Sequence, residues 1–176
     1  IDAFEVGYKY AGDRLGMDVA AYYYDYQDLQ VSIYPQGTAI TVNAATATIQ
    51  GLEGQLRYAL TDKLQLTAGA AWTDAEYEDF PNYFRFAEVP GFGFFAPVGF
   101  DSSGLQMQRT PEFTSSLAAR YDTELAGGML ALSGNFYYSS KFYFDASEYV
   151  EEGAYSTLGL RAAWTDPSEL YTVALY

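Results

Sequence analysis

Along most of this chain apolar and polar side chains alternate from one residue to the next, so that each type returns every second residue. This period of two constrains the fold more than any other feature of the sequence. Leu52, Leu56 and Tyr58 fall on one face of an extended segment. Glu53 and Arg57 fall on the opposite face. Side chains alternate in this way along a β-strand, whereas a helical face recurs every three to four residues. The alternation returns in further segments near 4–10, 15–24, 64–73, 113–121, 130–138, 157–164 and 171–175. The sequence therefore predicts an all-β, antiparallel chain of about eight strands.

The connections between these segments alternate strictly in length. Short polar links are expected at 11–14, 61–63, 122–128 and 165–169, and long links at 34–47, 80–108 and 139–154. Short turns at one end and long loops at the other are typical of outer-membrane β-barrels. An antiparallel sandwich shares the period of two but does not require this alternation. The pattern favours a transmembrane barrel and leaves a soluble β-sandwich as the alternative.

Aromatic residues are the unusual part of the composition. Tyr, Phe and Trp make up 18% of the chain, and Tyr is the most frequent of them with 18 copies. Tyr and Trp suit a membrane interface, where the ring is in an apolar layer and the polar group reaches water. Several aromatics fall near predicted strand ends, as an interfacial girdle requires: Tyr58, Trp72, Tyr121, Tyr138 and Trp164.

Charge and missing residue types narrow the function classes. The chain has 9 basic and 23 acidic residues, a formal net charge of −14, which argues against nucleic acid as a partner. It has no Cys and no His, so a thiolate nucleophile, a Cys-bound zinc and a Ser-His-Asp triad are absent. Acidic groups at 74–79 and 148–152 either bind Ca²⁺ through oxygen ligands or are solvated loop tips, and their spacing matches no EF-hand loop. We predict no enzyme activity, no cofactor and no metal site.

Two groups of residues are candidates for binding. A loop as long as the 80–108 segment is usually either functional or disordered. Its rings could stack on a sugar or an aromatic ligand while its arginine meets a carboxylate, or the rings could pack among neighbouring loops. The ligand-binding candidates are Tyr83, Arg85, Phe92, Phe94, Phe95 and Phe100. The predicted lumen-facing residues, which line a substrate path or pair across strands, are Glu53, Gln55, Arg57, Arg120 and Arg161.

Five segments, in order along the chain, resemble strands of TonB-dependent outer-membrane receptors. The 43–56 segment, NAATATIQGLEGQL, resembles the Asn-Ala run and Gly-hydrophobic-Glu motif that open a strand late in that barrel. The 64–77 segment, LQLTAGAAWTDAEY, is similar to the next strand of the family. The other three are 4–9 (FEVGYK), 22–31 (YYYDYQDLQV) and 109–113 (RTPEF). Each motif alone is weak, but their shared order covers nearly the whole chain.

The resemblance implies that residues 1–176 are the C-terminal part of a receptor barrel of 22 strands with a plugged lumen. The plug, the earlier strands and the closing strand would lie outside this chain. The implied activity is uptake of a siderophore, cobalamin or an oligosaccharide across the outer membrane of a Gram-negative bacterium. The implied partners are outer-membrane lipid and lipopolysaccharide, the TonB complex through the plug, the small-molecule or oligosaccharide ligand, and a surface lipoprotein.

An open sheet of eight strands has two unpaired edges, which lipid does not tolerate. The remaining strands of a larger barrel would pair with those edges. A rival interpretation closes the eight strands on themselves as a small outer-membrane barrel with a structural or adhesive role. A soluble β-sandwich that serves as a binding module is the third interpretation.

Overall fold

A computed structural model of the protein describes residues 1–33, 40–91 and 93–176, and within strands it leaves the side chains at 33 and 42–45 undescribed. The described residues form strands joined by turns and loops, and no helix long and apolar enough to cross a membrane is found among them. The strands are β1 Asp2–Ala11, β2 Leu15–Ile33, β3 Ile40–Ala59, β4 Leu64–Asp79, β5 Tyr83–Glu88, β6 Phe95–Phe100, β7 Phe113–Leu125, β8 Gly128–Ser139, β9 Phe142–Tyr143, β10 Glu151–Glu152, β11 Tyr155–Thr165 and β12 Thr172–Leu175.

Eight of these strands form one antiparallel sheet in the order β1-β2-β3-β4-β7-β8-β11-β12. Each strand pairs with the next one along the main sheet, which is an up-and-down arrangement. The predicted number of strands and their antiparallel pairing are confirmed. The sheet is part of a barrel and does not close, because β1 and β12 lie at its two edges without pairing with each other.

The register places the apolar and polar residues on opposite faces, as the alternation predicts. Leu56 lies in one cross-strand row with Ala68, Leu117, Phe136 and Leu158. Much of this face is exposed, with Leu117 at 52% and Leu158 at 68%. A face of exposed leucines and aromatics, continuous over several strands, is what a barrel presents to lipid. The polar residues share the other face, which lines a groove.

Short turns connect the strands at one end of the sheet, which we call the turn end. They are Gly12–Arg14, Leu60–Lys63, the pair Ala126 and Gly127, and the 166–171 loop. Ala126 and Gly127 both have positive φ, 52° and 81°, the backbone of a type I′ hairpin turn. The predicted link 122–128 is therefore too long, because Asp122 to Leu125 belong to β7.

At the opposite end, which we call the loop end, the described residues contain more strand than the sequence predicts. The predicted 34–47 link is wrong from Ile40 onward, because the chain is strand there, and its residues 34–39 lie outside the described residues. The strands β2 and β3 are 19 and 20 residues long, or roughly 60 Å at about 3.3 Å per residue, and so exceed the apolar band of about 25 Å. The 80–108 segment contains the β5–β6 hairpin, and the 139–154 segment contains the short β9–β10 pair.

The buried core also lies at the loop end. Ala47, Tyr77, Phe80 and Ala146 form one buried cluster, drawn from β3, from β4 and the residue after it, and from the loop between β9 and β10. Tyr26, Leu29, Val31, Tyr83, Phe84 and Met107 pack against it. The cluster therefore fastens the long connections to the ends of β2, β3 and β4, while both faces of the sheet below it stay open.

Candidate ligand-binding site

The β5–β6 hairpin carries the loop candidates, and its pairing decides which of them meet. Tyr83 pairs with Phe100 at the base, and Glu88 pairs with Phe95 at the far end. The tip between the strands is closed by a hydrogen bond from the Val89 N–H to the Phe94 carbonyl at 2.9 Å. Gly91 has φ of +83° in this tip, a left-handed conformation that favours glycine.

The base of the hairpin is fixed to the core. The Phe80 ring is buried and packs on Tyr77 at 5.1 Å between ring centroids and on Tyr83 at 5.5 Å. The Ser102 N–H donates to the Phe80 carbonyl at 2.9 Å, and the Phe80 N–H donates to Ser103 Oγ at 2.8 Å. Both chain ends of the hairpin are therefore tied together where they leave the barrel wall.

Three of the predicted ligand-binding residues come together on one side of this hairpin. Tyr83 faces Phe100 across the two strands, and the Arg85 guanidinium carbon lies 4.5 Å from the centre of the Phe100 ring. Arg85 Nε is buried and has no hydrogen-bond partner among the described residues. A planar cation held on an aromatic face can present its remaining N–H groups to a carboxylate or phenolate oxygen.

The other loop candidates lie apart from that group. Phe94 and Phe95 are at the far end of the hairpin, 53% and 60% exposed. Phe92 lies outside the described residues. Phe86, which the sequence did not single out, is exposed and pairs with Pro97 on the opposite strand. The alternation within β5 would have indicated it, because Phe86 is two residues from Phe84 and on the face opposite Arg85.

The predicted lumen-facing residues share the polar face of the sheet but fall into separate places. Glu53 and Gln55 line a groove of about 480 Å³ that also includes Lys9, Asp18, Thr114, Ser116 and Tyr137. Gln55 and Arg57 line a second groove of about 210 Å³, nearer the turn end. Together the grooves give the face a mixed polar lining of hydroxyls, amides and a few charges, which suits hydrogen bonding to whatever fills the lumen.

Arg120 and Arg161 flank Ser133 on neighbouring strands of the same face. Arg120 donates two hydrogen bonds of 2.8 Å to Asp122 on its own strand. The Arg161 guanidinium carbon lies 5.4 Å from the centre of the Tyr176 ring. These two arginines line neither of the two grooves and lie in a different part of the face from Glu53.

The polar face also holds a contact that was not predicted from the sequence. The Tyr22 hydroxyl lies 2.8 Å from Thr73 Oγ1, and its ring crosses Gly51 on the strand between them. A Cβ at position 51 would lie 2.4 Å from the Tyr22 hydroxyl oxygen and 2.5 Å from the Trp72 carbonyl oxygen. Gly51 therefore makes room for a tyrosine that links β2 to β4, and a glycine inside a strand is the sequence signal for such an approach.

The acidic residues considered for calcium are not gathered into a site. In the described part of the chain, no group of three or more carboxylates is placed to hold a metal ion. Asp145 instead accepts hydrogen bonds from the backbone N–H groups of Ser147 and Val150, at 2.8 and 2.9 Å. Burial raises the pKa of Asp145, but hydrogen bonds from Ser147, Val150 and Tyr149 outweigh it and hold that pKa below its ordinary value.

Known proteins with this architecture identify the family. The family described as TonB dependent receptor-like, beta-barrel, matches residues 1–176. The siderophore receptor PiuA from Acinetobacter baumannii superposes with a TM-score of 0.67 at 23% identity, over 92% of this chain and 22% of its own. The ferric yersiniabactin uptake receptor FyuA from Yersinia pestis gives 0.72 at 16% identity, over 92% and 22%. BauA, the ferric preacinetobactin receptor from Acinetobacter baumannii, gives 0.69 at 19% identity, over 98% and 23%.

The chain spans between a fifth and a quarter of the length of each of these receptors. The similar structures, all below 25% identity, share the barrel fold with it. The family match covers every residue, and members of this family are transport receptors of the outer membrane rather than enzymes. The resemblance predicted from the five segments is confirmed, and this chain belongs to the TonB-dependent receptor β-barrel family.

Proposed function

We propose that residues 1–176 are the C-terminal part of an outer-membrane receptor barrel that takes up a ferric siderophore in a Gram-negative bacterium, driven by TonB. The observation that carries the proposal is the family match over the whole chain. The similar structures are siderophore receptors, which supports the choice of ligand. The plug, which would contact TonB, and the remaining strands would be supplied by the rest of the receptor.

The hairpin supplies the ligand contacts in this proposal. Tyr83, Arg85 and Phe100 form its polar and aromatic group, and Phe94 and Phe95 form an exposed aromatic tip. Siderophores present oxygen atoms that accept hydrogen bonds, and often aromatic rings. The oxygen atoms suit the Arg85 guanidinium, and the rings suit the exposed phenylalanines. Exposed rings also stack on sugars, so an oligosaccharide is the second candidate ligand, and cobalamin is less favoured because nothing in the hairpin selects it.

Uptake by cells that express the complete receptor tests the function directly. The probes are ferric yersiniabactin and ferric preacinetobactin carrying radioactive iron, added to iron-starved cells with and without a functional TonB protein. Accumulation of either probe that requires both the receptor and TonB is the expected result. Accumulation of a labelled oligosaccharide but of neither iron complex would replace the siderophore proposal with the second candidate.

Substitution of Arg85 tests the hairpin. We expect Arg85→Gln to weaken probe binding by roughly ten- to a hundredfold, because a charge-assisted hydrogen bond contributes about 1.5–3 kcal/mol. The matched control is Arg14→Gln at the turn end, where the arginine pairs with Asp62 and both side chains are exposed. An exposed pair of this kind contributes little. Equal binding by the Arg85 variant and the wild type would remove Arg85 from the site.

The faces of the sheet test the membrane setting. Leu56→Arg places a charge on the proposed lipid face, at a cost of about 2–4 kcal/mol near the midplane of the bilayer. Gln55→Arg, one residue earlier, places the same charge on the groove face and should assemble almost normally. The measurement is the amount of folded, heat-modifiable receptor recovered from outer membranes. Equal recovery of the two variants would contradict the assignment of lipid and lipopolysaccharide as partners of this face.

A further inference from the structure

The chain that returns from the hairpin to the barrel wall, residues 102–109, is held on both of its sides. We call it the return segment. On one side it pairs with β4: the Met107 N–H donates to the Ala75 carbonyl at 2.8 Å, and the Tyr77 N–H donates to the Leu105 carbonyl at 3.0 Å. The N–H of Gln106 therefore points to the other side, since alternate residues of a strand bond to opposite neighbours.

The other side of the return segment meets the loop between β9 and β10. Glu148 Oε1 accepts a hydrogen bond from the Gln106 N–H at 2.9 Å. Close by, the Arg109 N–H donates to the Tyr143 carbonyl at 2.7 Å. The loop also inserts Ala146 into the cluster of Tyr77 and Phe80 on which the hairpin rests. Two connections far apart in sequence are thus joined by a carboxylate, a backbone contact and a buried methyl group.

The backbone of the 145–150 loop determines the direction of the Glu148 carboxylate. Asp145 accepts hydrogen bonds from the N–H groups two and five residues later, and the Glu148 N–H donates to the Asp145 carbonyl. Glu148 consequently has φ of +55°, which few residues other than glycine adopt. Local hydrogen bonds to the Asp145 carboxylate and carbonyl therefore hold the backbone from which the Glu148 side chain extends to Gln106.

We infer that Glu148 is a positioning residue for ligand binding: its carboxylate holds the return segment and thereby fixes the hairpin that carries Tyr83, Arg85 and Phe100. The inference rests on the proposed function, in which that hairpin contacts the siderophore. Glu148 itself does not touch the ligand. Its effect reaches the hairpin through Ser102 and Ser103, which bond to Phe80 at the hairpin base.

The chain contains its own control for this inference. A second loop, residues 166–171, has the same arrangement around Asp166, and Glu169 takes the place of Glu148 with φ of +57°. The Glu169 side chain makes no hydrogen bond or ion pair with any described residue. Glu169→Ala therefore removes a side chain of the same type, in the same local geometry, without removing a hydrogen bond or an ion pair.

The test compares Glu148→Ala, Glu148→Gln and Glu169→Ala in the complete receptor. Amide hydrogen exchange of Gln106 measures the contact, and the dissociation constants for ferric yersiniabactin and ferric preacinetobactin measure its use. We expect Glu148→Ala to raise the Gln106 exchange rate and the dissociation constant roughly tenfold each. Glu148→Gln keeps a side-chain oxygen that accepts the bond and should restore most of both values, whereas Glu169→Ala should change neither.

The two measurements separate the ways in which the inference can fail. Unchanged exchange at Gln106 in Glu148→Ala would show that the carboxylate does not hold the return segment. Faster exchange with unchanged binding of a probe that the wild type does bind would show that the contact does not position the hairpin. A wild-type receptor that binds neither probe overturns the proposed function and the ligand role of Glu148 together, while the exchange result still decides the contact.

Discussion

Two loops at opposite ends of the sheet share one local structure and differ in what they touch. In the 145–150 loop and the 166–171 loop, the leading aspartate accepts hydrogen bonds from the N–H groups two and five residues later. Both loops also place a glutamate at a positive φ in the fourth position. This common geometry follows from short-range hydrogen bonds by an aspartate, which favour such turns wherever they occur.

The surroundings of the two loops differ completely. Ala146 is 2% exposed and belongs to the core cluster, whereas its counterpart, Pro167, is exposed at the turn end. The Glu148 side chain accepts a hydrogen bond from the return segment, whereas the Glu169 side chain makes no hydrogen bond or ion pair within the described part of the chain. The 166–171 loop thus only connects two strands, whereas the 145–150 loop, with the same local structure, also holds two long connections together. The difference in contacts comes from tertiary packing, because both loops carry the same Asp, Ser and Glu spacing.

The largest expected difference follows from putting a charge at the second position of each loop. Ala146→Asp buries an unpaired carboxylate among Tyr77 and Phe80, which should weaken docking of the 145–150 loop by about 3 kcal/mol or more. Pro167→Asp puts the same group in water and should cost less than about 1 kcal/mol. Amide exchange across both loops and the return segment measures the effect. Equal loosening of the two loops would contradict the contrast in burial.

A smaller effect is expected from removing the charge of the leading aspartates. Asp145→Asn leaves one oxygen to accept two N–H groups, and we expect a loss of about 1–2 kcal/mol within the 145–150 loop. Because that loop positions the Glu148 carboxylate, amide hydrogen exchange of Gln106 should also become faster. Asp166→Asn should loosen only its own loop. If Gln106 responded equally to both variants, the route from Asp145 through Glu148 would be wrong.

The sequence predicts the sheet better than it predicts the contact between the 145–150 loop and the return segment. Alternation is a local property, so the strands and their two faces can be recognised from the order of residues alone. The likeness of the two loops is also visible in the sequence, because both carry the same spacing of Asp, Ser and Glu. The bond between Glu148 and Gln106 joins residues 42 positions apart and depends on how β4 and the hairpin pack. No local pattern encodes that contact.

The candidate site shows the same limit. Tyr83, Arg85 and Phe100 were predicted as members of one long loop, but their meeting depends on the register between β5 and β6. Phe94 and Phe95 share their residue type with Phe100 and lie at the other end of the hairpin. The composition of the 80–108 segment is enough to identify it as a candidate. The pairing of β5 with β6 is needed to distinguish the group around Arg85 from the exposed tip.

Acidification should weaken both loops, because both aspartates have a pKa below the ordinary value of 3.8. Burial raises the pKa of Asp145, and hydrogen bonds to its carboxylate outweigh that effect. At Asp166 the Ser168 hydroxyl and the Tyr171 N–H lower the pKa most. A depressed pKa contributes stability that is fully present above the ordinary value and is lost as the pH falls through the folded-state value.

Amide chemical shifts of Val150 and Tyr171, followed as the pH falls below about 4, measure this titration. Each shift should report a midpoint below 3.8, the ordinary value for aspartate. Protonation of Asp145 should also lower the protection of the Gln106 amide, which is its exchange rate compared with the intrinsic rate at the same pH. Protonation of Asp166 should leave that protection unchanged. A midpoint above 3.8 at either position would mean that the carboxylate does not accept the hydrogen bonds described for it.

The smallest expected effect concerns the proline that distinguishes the two loops. Pro167 restricts the unfolded chain, and Pro167→Ala should cost about 0.4–1 kcal/mol through that restriction alone. The 145–150 loop has alanine at this position and still forms the same hydrogen bonds, so the folded geometry should survive the change. Unchanged amide shifts of Ser168 and Tyr171, together with a slightly faster exchange of both, are the expected result. Loss of the hydrogen bonds to Asp166 would show instead that proline determines the loop, and that the likeness of the two loops has different causes at the two ends of the sheet.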